Sequence, residues 1–117
     1  MQKGEIIDKP WGHEKILEFG NRLVMKEMRI TKGKRMSLQK HLYKEEIIMV
    51  VVGFLIVWFS KDENDFKILG QGESIHVKPG MVHRFGASDS GDVILVEAST
   101  PELTDVVRLA DDFGRVT

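Results

Sequence analysis

The chain predicts an all-β fold, a single closed barrel or sandwich, on three observations. Eleven glycines divide 117 residues into short segments rich in Ile, Val, Phe and Met, the spacing of many short strands joined by turns. The stretch from Ile47 to Phe59 is apolar at every position around Gly53. It falls short of the ~20 residues that a membrane helix needs, so it reads as buried strand. No internal repeat, low-complexity stretch or linker interrupts the chain, which makes residues 1–117 one domain.

Eight strands follow from the segments between turn residues: Lys15–Phe19, Leu23–Ile30, Ser37–His41, Glu46–Val52, Phe54–Ser60, Phe66–Leu69, Ser74–Val77 and Val93–Ala98. Tight turns are expected at Thr31–Lys34 and Asp89–Asp92. Lys78-Pro79-Gly80 forces another turn, after which the chain re-enters a strand at Val82–Phe85. Because Ile47–Phe59 is apolar on both faces, one face should meet the barrel interior and the other a second sheet or subunit. A homodimer would provide that cover. Only the tail invites a helix: Thr100 as N-cap and Pro101 at the first position suggest one over residues 101–105. The β-branched pair Val106-Val107 argues for return to the sheet at Val106–Leu109.

Composition excludes several functions. Seventeen Lys and Arg against 18 Asp and Glu leave a net charge of −1 with no basic stripe, so nucleic acid is not an expected partner. The absence of cysteine removes disulfides, thiolate zinc sites and a cysteine nucleophile. No membrane association is expected. The opening Met1-Gln2-Lys3-Gly4-Glu5 has no apolar signal core, so the cytoplasm is the default compartment.

Among four histidines, His41 and His83 sit where a metal site would need them. Strand alternation puts Ser37, Gln39 and His41 on one face. Glu46 opens the following strand, whose pairing with the first would swing its carboxylate over that face. His83 follows the Pro79-Gly80 turn. Amide oxygen, two imidazoles and one carboxylate with room for substrate make a catalytic divalent site. Arg35 shares the face of Gln39 at the strand's start and suits an anchor for phosphate or carboxylate at the barrel mouth. Glu97 shares a face with Val93 and Leu95 and is a candidate general base. His13 and His76 read as ordinary polar residues, Glu45 as solvated or in a subunit contact, and Trp11 as packing.

These residues resemble a known family. Gly33, Gln39-Lys40-His41, Glu46 and Gly53 are similar to the first motif of the cupin superfamily, with Gln in place of the usual first histidine. Gly72, Pro79-Gly80 and His83 look like the second. Within the superfamily, Lys9–Gly12, Ser37–His41, Pro79–Arg84 and Val107–Arg115 resemble the type II mannose-6-phosphate isomerase domain. Tyr43 and Lys44 stand where that family often has His and Arg, Phe113 replaces a Tyr, and Ala87 replaces an Asn. The resemblance implies a double-stranded β-helix (jelly-roll barrel) and one divalent ion per chain on Gln39, His41, Glu46 and His83. The ion would be zinc first, with manganese, iron, nickel or cobalt as alternatives. It further implies a sugar-phosphate substrate and Arg84, Arg108 and Arg115 as possible anchors. In that family the domain often follows a nucleotidyltransferase domain, so guanylyl transfer is not implied for these residues. Two other readings stay open: a metal-containing sugar-binding module without turnover, and a nonhaem iron oxygenase built on His41, Glu46 and His83.

Overall fold

The computed structural model describes residues 1–116, with eleven strands and no helix among them. The strands are β1 (Ile6–Lys9), β2 (Gly12–Phe19), β3 (Val24–Ile30), β4 (Leu38–Lys40), β5 (Glu46–Val52), β6 (Leu55–Trp58), β7 (Phe66–Leu69), β8 (Ser74–Val77), β9 (Arg84–Ala87), β10 (Val93–Ser99) and β11 (Val107–Ala110). One layer is a six-stranded sheet in the order β1-β2-β3-β10-β5-β8. The other combines β7-β6-β9 with the pair β11-β4, joined through single bridges at Gln39↔His83 and Arg35↔Gly86. Ile48, Val50 and Leu95 from the first layer share one apolar core with Leu55, Val57 and Phe85 from the second.

Two expectations change. The tail forms no helix, because its polar groups are engaged elsewhere. The Thr100 amide donates to the Glu45 carbonyl at 3.0 Å, and its hydroxyl accepts from the Glu45 amide at 3.0 Å. Thr100 is thereby tied to the entry of β5 rather than capping a helix, and the β-branched residues that follow lead into β11. Glu46 does not lie on a strand beside Gln39 and His41: β5 pairs with β10 and β8, whereas β4 pairs with β11. The carboxylate therefore reaches the histidines from the opposite layer. Among the described residues nothing covers the outer face of β5. Ile47, Met49 and Val52 are exposed, as is Met25 of β3. Ala98 lies in register between Met25 and Ile47, which makes this apolar strip continuous. No helix among the described residues is long and apolar enough to cross a membrane.

Arg35 is also corrected: it is a clamp outside the barrel rather than a mouth anchor. Met36 and Ser37 are buried in succession and both line the internal cavity, so alternation breaks between Arg35 and Gln39 and sends Arg35 outward. Its guanidinium binds Asp112 through Nε at 2.6 Å and Glu63 through Nη1 at 2.8 Å, and lies over Trp58 at 5.1 Å. A Cβ at Gly86 would sit 2.8 Å from both Arg35 and the Trp58 ring, so the absent side chain makes room for this stack. Arg84 is likewise structural. It is buried, and its Nε and Nη2 donate to the carbonyls of Met36 and Ala110 at 3.0 and 3.1 Å, binding β9 to the segments around β4 and β11.

Hydrogen bonding to Arg35 holds the carboxyls of Glu63 and Asp112 below the usual carboxylate range. Stability from a depressed carboxyl is present above its unfolded-state pKa and is lost as pH falls through the folded value. Arg35→Ala should therefore destabilise the fold at neutral pH by about 1 kcal/mol, since both carboxyls are largely exposed and screened, and the gap from wild type should narrow in acid. Urea unfolding of both proteins tests this. A gap as wide at about pH 2 as at about pH 7, outside the carboxylate range on either side, would contradict the clamp.

Candidate metal centre

Three side chains from both layers converge inside the barrel. His41 follows β4, Glu46 opens β5, and His83 precedes β9; they are 1%, 3% and 0% exposed. Glu46 Oε1 lies 3.2 Å from His83 Nε2 and 3.7 Å from His41 Nε2. One ligand atom from each residue lies within 4.8 Å of the others. Donors held ~2.1 Å from a common zinc ion stand about 3 to 3.5 Å apart, so the cluster has the right size.

The imidazoles are oriented for this task. His41 Nδ1 donates to the carbonyl of Asp105 at 2.5 Å, and His83 Nδ1 donates to the carbonyl of Met81 at 3.0 Å. A carbonyl only accepts, so both rings carry their proton on Nδ1 and turn an unprotonated Nε2 inward. Both Nε2 atoms are buried and have no hydrogen-bond partner among the described residues. Unpartnered buried acceptors are costly, and a divalent cation would satisfy both. The residues fit a metal.

Local sequence explains the convergence. Gly80, at φ +81, adopts the left-handed conformation that favours glycine, and its amide donates to the His41 carbonyl at 2.7 Å. The Lys78–Met81 turn thus draws the two histidine segments together. Gln39 lines the same cavity, but its Oε1 accepts from the Ser37 hydroxyl at 2.7 Å. The three-residue cluster forms without it.

A cavity of about 330 Å³ opens above the cluster, within the usual range for a small-molecule site. Glu97 and Lys44 stand at its floor, both buried. Lys44 Nζ bridges Glu46 Oε2 at 3.2 Å and Glu97 Oε1 at 3.3 Å. Burial, then the adjoining Glu46, pushes the Glu97 carboxyl up to about 8. Burial would also raise Glu46, but its contacts with the Glu97 carboxyl and the Lys44 ammonium hold it well below the usual range. Lys26, in register with Glu97 across β3 and β10, binds Glu14 Oε2 at 3.2 Å.

Arg108 and Arg115 both line the cavity, whereas Arg35 and Arg84 do not. Arg108 lies opposite Gln39 in the β11–β4 register, and its buried Nε has no partner among the described residues. Arg115 is paired with Asp111 at 2.8 Å. Sequence reasoning gave no role to Lys44, Lys26, Glu14, Lys9 or Asp105. Charged residues ordinarily face water, and only the barrel's closure turns Lys9, Glu14, Lys26 and Lys44 toward the cavity, while Asp105 is marked only by the loop amides it caps. Of the remaining histidines, His76 is exposed and contacts Glu45, while His13 is half-buried on β2. Trp11 is buried in the core and also lines the cavity.

Residues 1–111 match the family model described as mannose-6-phosphate isomerase C-terminal. A mannose-1-phosphate guanylyltransferase of Escherichia coli is 33% identical over 113 residues, covering 94% of this chain and 23% of that protein. The alginate biosynthesis protein AlgA of Pseudomonas aeruginosa is 28% identical over 112 residues, covering 93% and 23%. The chain thus spans about a quarter of the length of these relatives. Among solved structures, an RmlC-like cupin from Shewanella frigidimarina superposes with a TM-score of 0.72 at 24% identity, covering 87% of each chain. KdgF from Halomonas gives 0.74 at 20% identity, covering 86% of this chain and 91% of that one. These likenesses show the cupin double-stranded β-helix.

The geometry predicts one divalent ion per chain, removable by chelation with a fall in Tm, because a ligand bound only by the folded state stabilises it. The His41→Ala, His83→Ala double variant should purify nearly metal-free. Elemental analysis showing wild-type metal content in that variant would rule the centre out.

Proposed function

The chain belongs to the mannose-6-phosphate isomerase C-terminal family of cupins, and from that premise we propose that it is a metal-dependent sugar-phosphate isomerase. The substrate pair proposed is mannose 6-phosphate and fructose 6-phosphate. The observation that carries this reading is the cavity floor, where a buried carboxyl, Glu97, stands beside a three-residue metal cluster beneath cationic walls. Lys9, Lys26, Lys44, Arg108 and Arg115 line the cavity against three carboxylates, Glu14, Glu46 and Glu97. That balance favours an anionic ligand.

Aldose–ketose interconversion moves one proton from C2 to C1 and one from the C2 hydroxyl to the C1 oxygen, through an enediol whose negative charge grows on those oxygens. A single carboxyl that can reach both carbons accepts the proton from one and returns it to the other, and Glu97 is proposed for that role. Lys44 supplies a fixed positive charge beside it. A divalent ion on His41, Glu46 and His83, with Gln39 proposed as the fourth donor, would act as a Lewis acid toward the sugar oxygens; zinc is the ion proposed. Arg108, with its unpartnered Nε, is proposed to hold the phosphate, with Arg115 and Lys9 completing the anchor. Catalysis by proton transfer and charge needs no cysteine, consistent with work in a reducing cytoplasm.

Two substitutions separate these roles. Glu97→Gln should slow solvent-hydrogen exchange into C1 and C2 by about 10²- to 10⁴-fold with metal content unchanged. Arg108→Ala should raise KM more than it lowers kcat. A metal-replete wild-type protein that exchanges no solvent hydrogen into either sugar phosphate would replace this reading with a binding module. Iron content with oxygen uptake would replace it with the oxygenase that two histidines and one carboxylate also suit.

We also propose a homodimer that buries the apolar strip of Met25, Ala98, Ile47 and Met49. Light scattering should give twice 13.3 kDa, and Ile47→Glu should shift the mass toward the monomer. A wild-type monomer independent of concentration would overturn the dimer.

A further inference from the structure

The two histidines of the centre are oriented in different ways. His83 is held locally, by a carbonyl two residues away on the Pro79-Gly80 turn. His41 is held by Asp105, 64 positions away, on the segment between β10 and β11. That same residue does a second job. Its carboxylate accepts from three successive amides of the loop between β4 and β5: Leu42 to Oδ1 at 3.1 Å, and Tyr43 and Lys44 to Oδ2 at 2.6 and 2.9 Å.

Those amides follow His41 directly and end at Lys44, whose ammonium bridges Glu46 and Glu97. Three consecutive amides aimed at one point would splay the loop if left without an acceptor, since each is an obligatory donor. With the acceptor present, the loop closes on Asp105, and the Asp105 carbonyl is brought against His41 Nδ1. One residue therefore fixes both the inward Nε2 of His41 and the point from which Lys44 enters the cavity. Its neighbours Leu103, Thr104 and Val106 line that cavity, so the segment that orients the ligand also walls the ligand space.

We propose that Asp105 is a positioning residue for the metal centre, setting the tautomer and aim of His41 through its carbonyl and the course of the Leu42–Lys44 loop through its carboxylate. The proposal rests on the metal-centre reading for its effect on metal, and on the hydrogen-bond geometry alone for its effect on His41. It is distinct from the ligands themselves, since Asp105 offers its carboxylate to amides and not to the cluster.

The test compares wild type with Asp105→Ala and Asp105→Asn. Asparagine keeps one amide-accepting oxygen, and so rescues part of the loop. Long-range proton–nitrogen NMR spectra of the metal-free proteins report the His41 tautomer. Wild type should show a single Nδ1–H form, and Asp105→Ala a mixture of tautomers. Zinc affinity, measured by competition with a chromophoric chelator, should fall about 10- to 100-fold in Asp105→Ala and less in Asp105→Asn. Asp92→Asn serves as control, because Asp92 also caps a backbone amide, that of Lys32, in a turn unconnected to the centre; its zinc affinity should match wild type. If Asp105→Ala does not fold, the Asp105→Asn data decide by the same criteria. Wild-type tautomer and zinc affinity in the Asp105 variants would overturn the proposal. A fixed tautomer in a wild-type protein that binds no zinc, lost in Asp105→Ala, would uphold the positioning role and instead remove the metal reading.

Discussion

The structure turns on a buried carboxylate. Glu46 sits inside the barrel where solvent cannot stabilise its charge, and an isolated ionised group there would be prohibitively costly. It persists because the Lys44 ammonium, 3.2 Å from its Oε2, and the Glu97 carboxyl close around it, while His41 and His83 turn inward beside it the Nε2 atoms with which it would share a cation. Buried ion pairs of this kind contribute little net stability over an apolar alternative, while loss of one partner is strongly destabilising. Such an arrangement is retained for what it can do. Here it creates an inward set of donors that the protein itself leaves partly unsatisfied.

The barrel interior is accordingly divided. Phe85, Leu55, Val57 and Val50 fill one part with close-packed apolar side chains. Glu14, Lys26, Glu97, Lys44 and Glu46 occupy the remainder as an alternation of charges around the cavity. The division follows from strand register. Lys26 and Glu97 are direct partners across β3 and β10, and Met28 and Leu95 form the next inward pair along the same strands. Two steps along a strand are enough to pass from a charged floor to an apolar core.

Much of this was legible in the sequence, for definite reasons. β5, β7 and β8 lie where Glu46–Val52, Phe66–Leu69 and Ser74–Val77 predicted them, because turn residues close each strand, Gly53 after β5, Gly70 after β7 and Pro79-Gly80 after β8. His41, Glu46 and His83 could be named from motif spacing, since short loops on either side of each leave little freedom in their placement. The side of approach of Glu46 was not legible: local pairing is the natural guess for neighbouring strands, and only its distant partners β8 and β10 show that β5 belongs to the other layer. Arg35 was misread because strict alternation was assumed through a stretch where two successive residues turn inward. Lys44 and Asp105 were missed because each depends on the other across more than sixty residues, and nothing local to either marks the pairing.

The position of β10 has a consequence for how the chain acquires its structure. β10 lies between β3 and β5 and makes a full ladder with each, so neither inner edge is paired until residues 93–99 arrive. Contacts between such distant segments slow folding, because the chain must close long loops before it gains their pairing. During synthesis, β3 and β5 would wait with bare edges, the kind of surface that recruits strands from other chains. The charged residues that later form the cavity floor stand along these same strands, and before closure Lys26 and Glu46 would face water. Within each, the charged side chain that equips the finished site would also discourage misplaced pairing on the way to it.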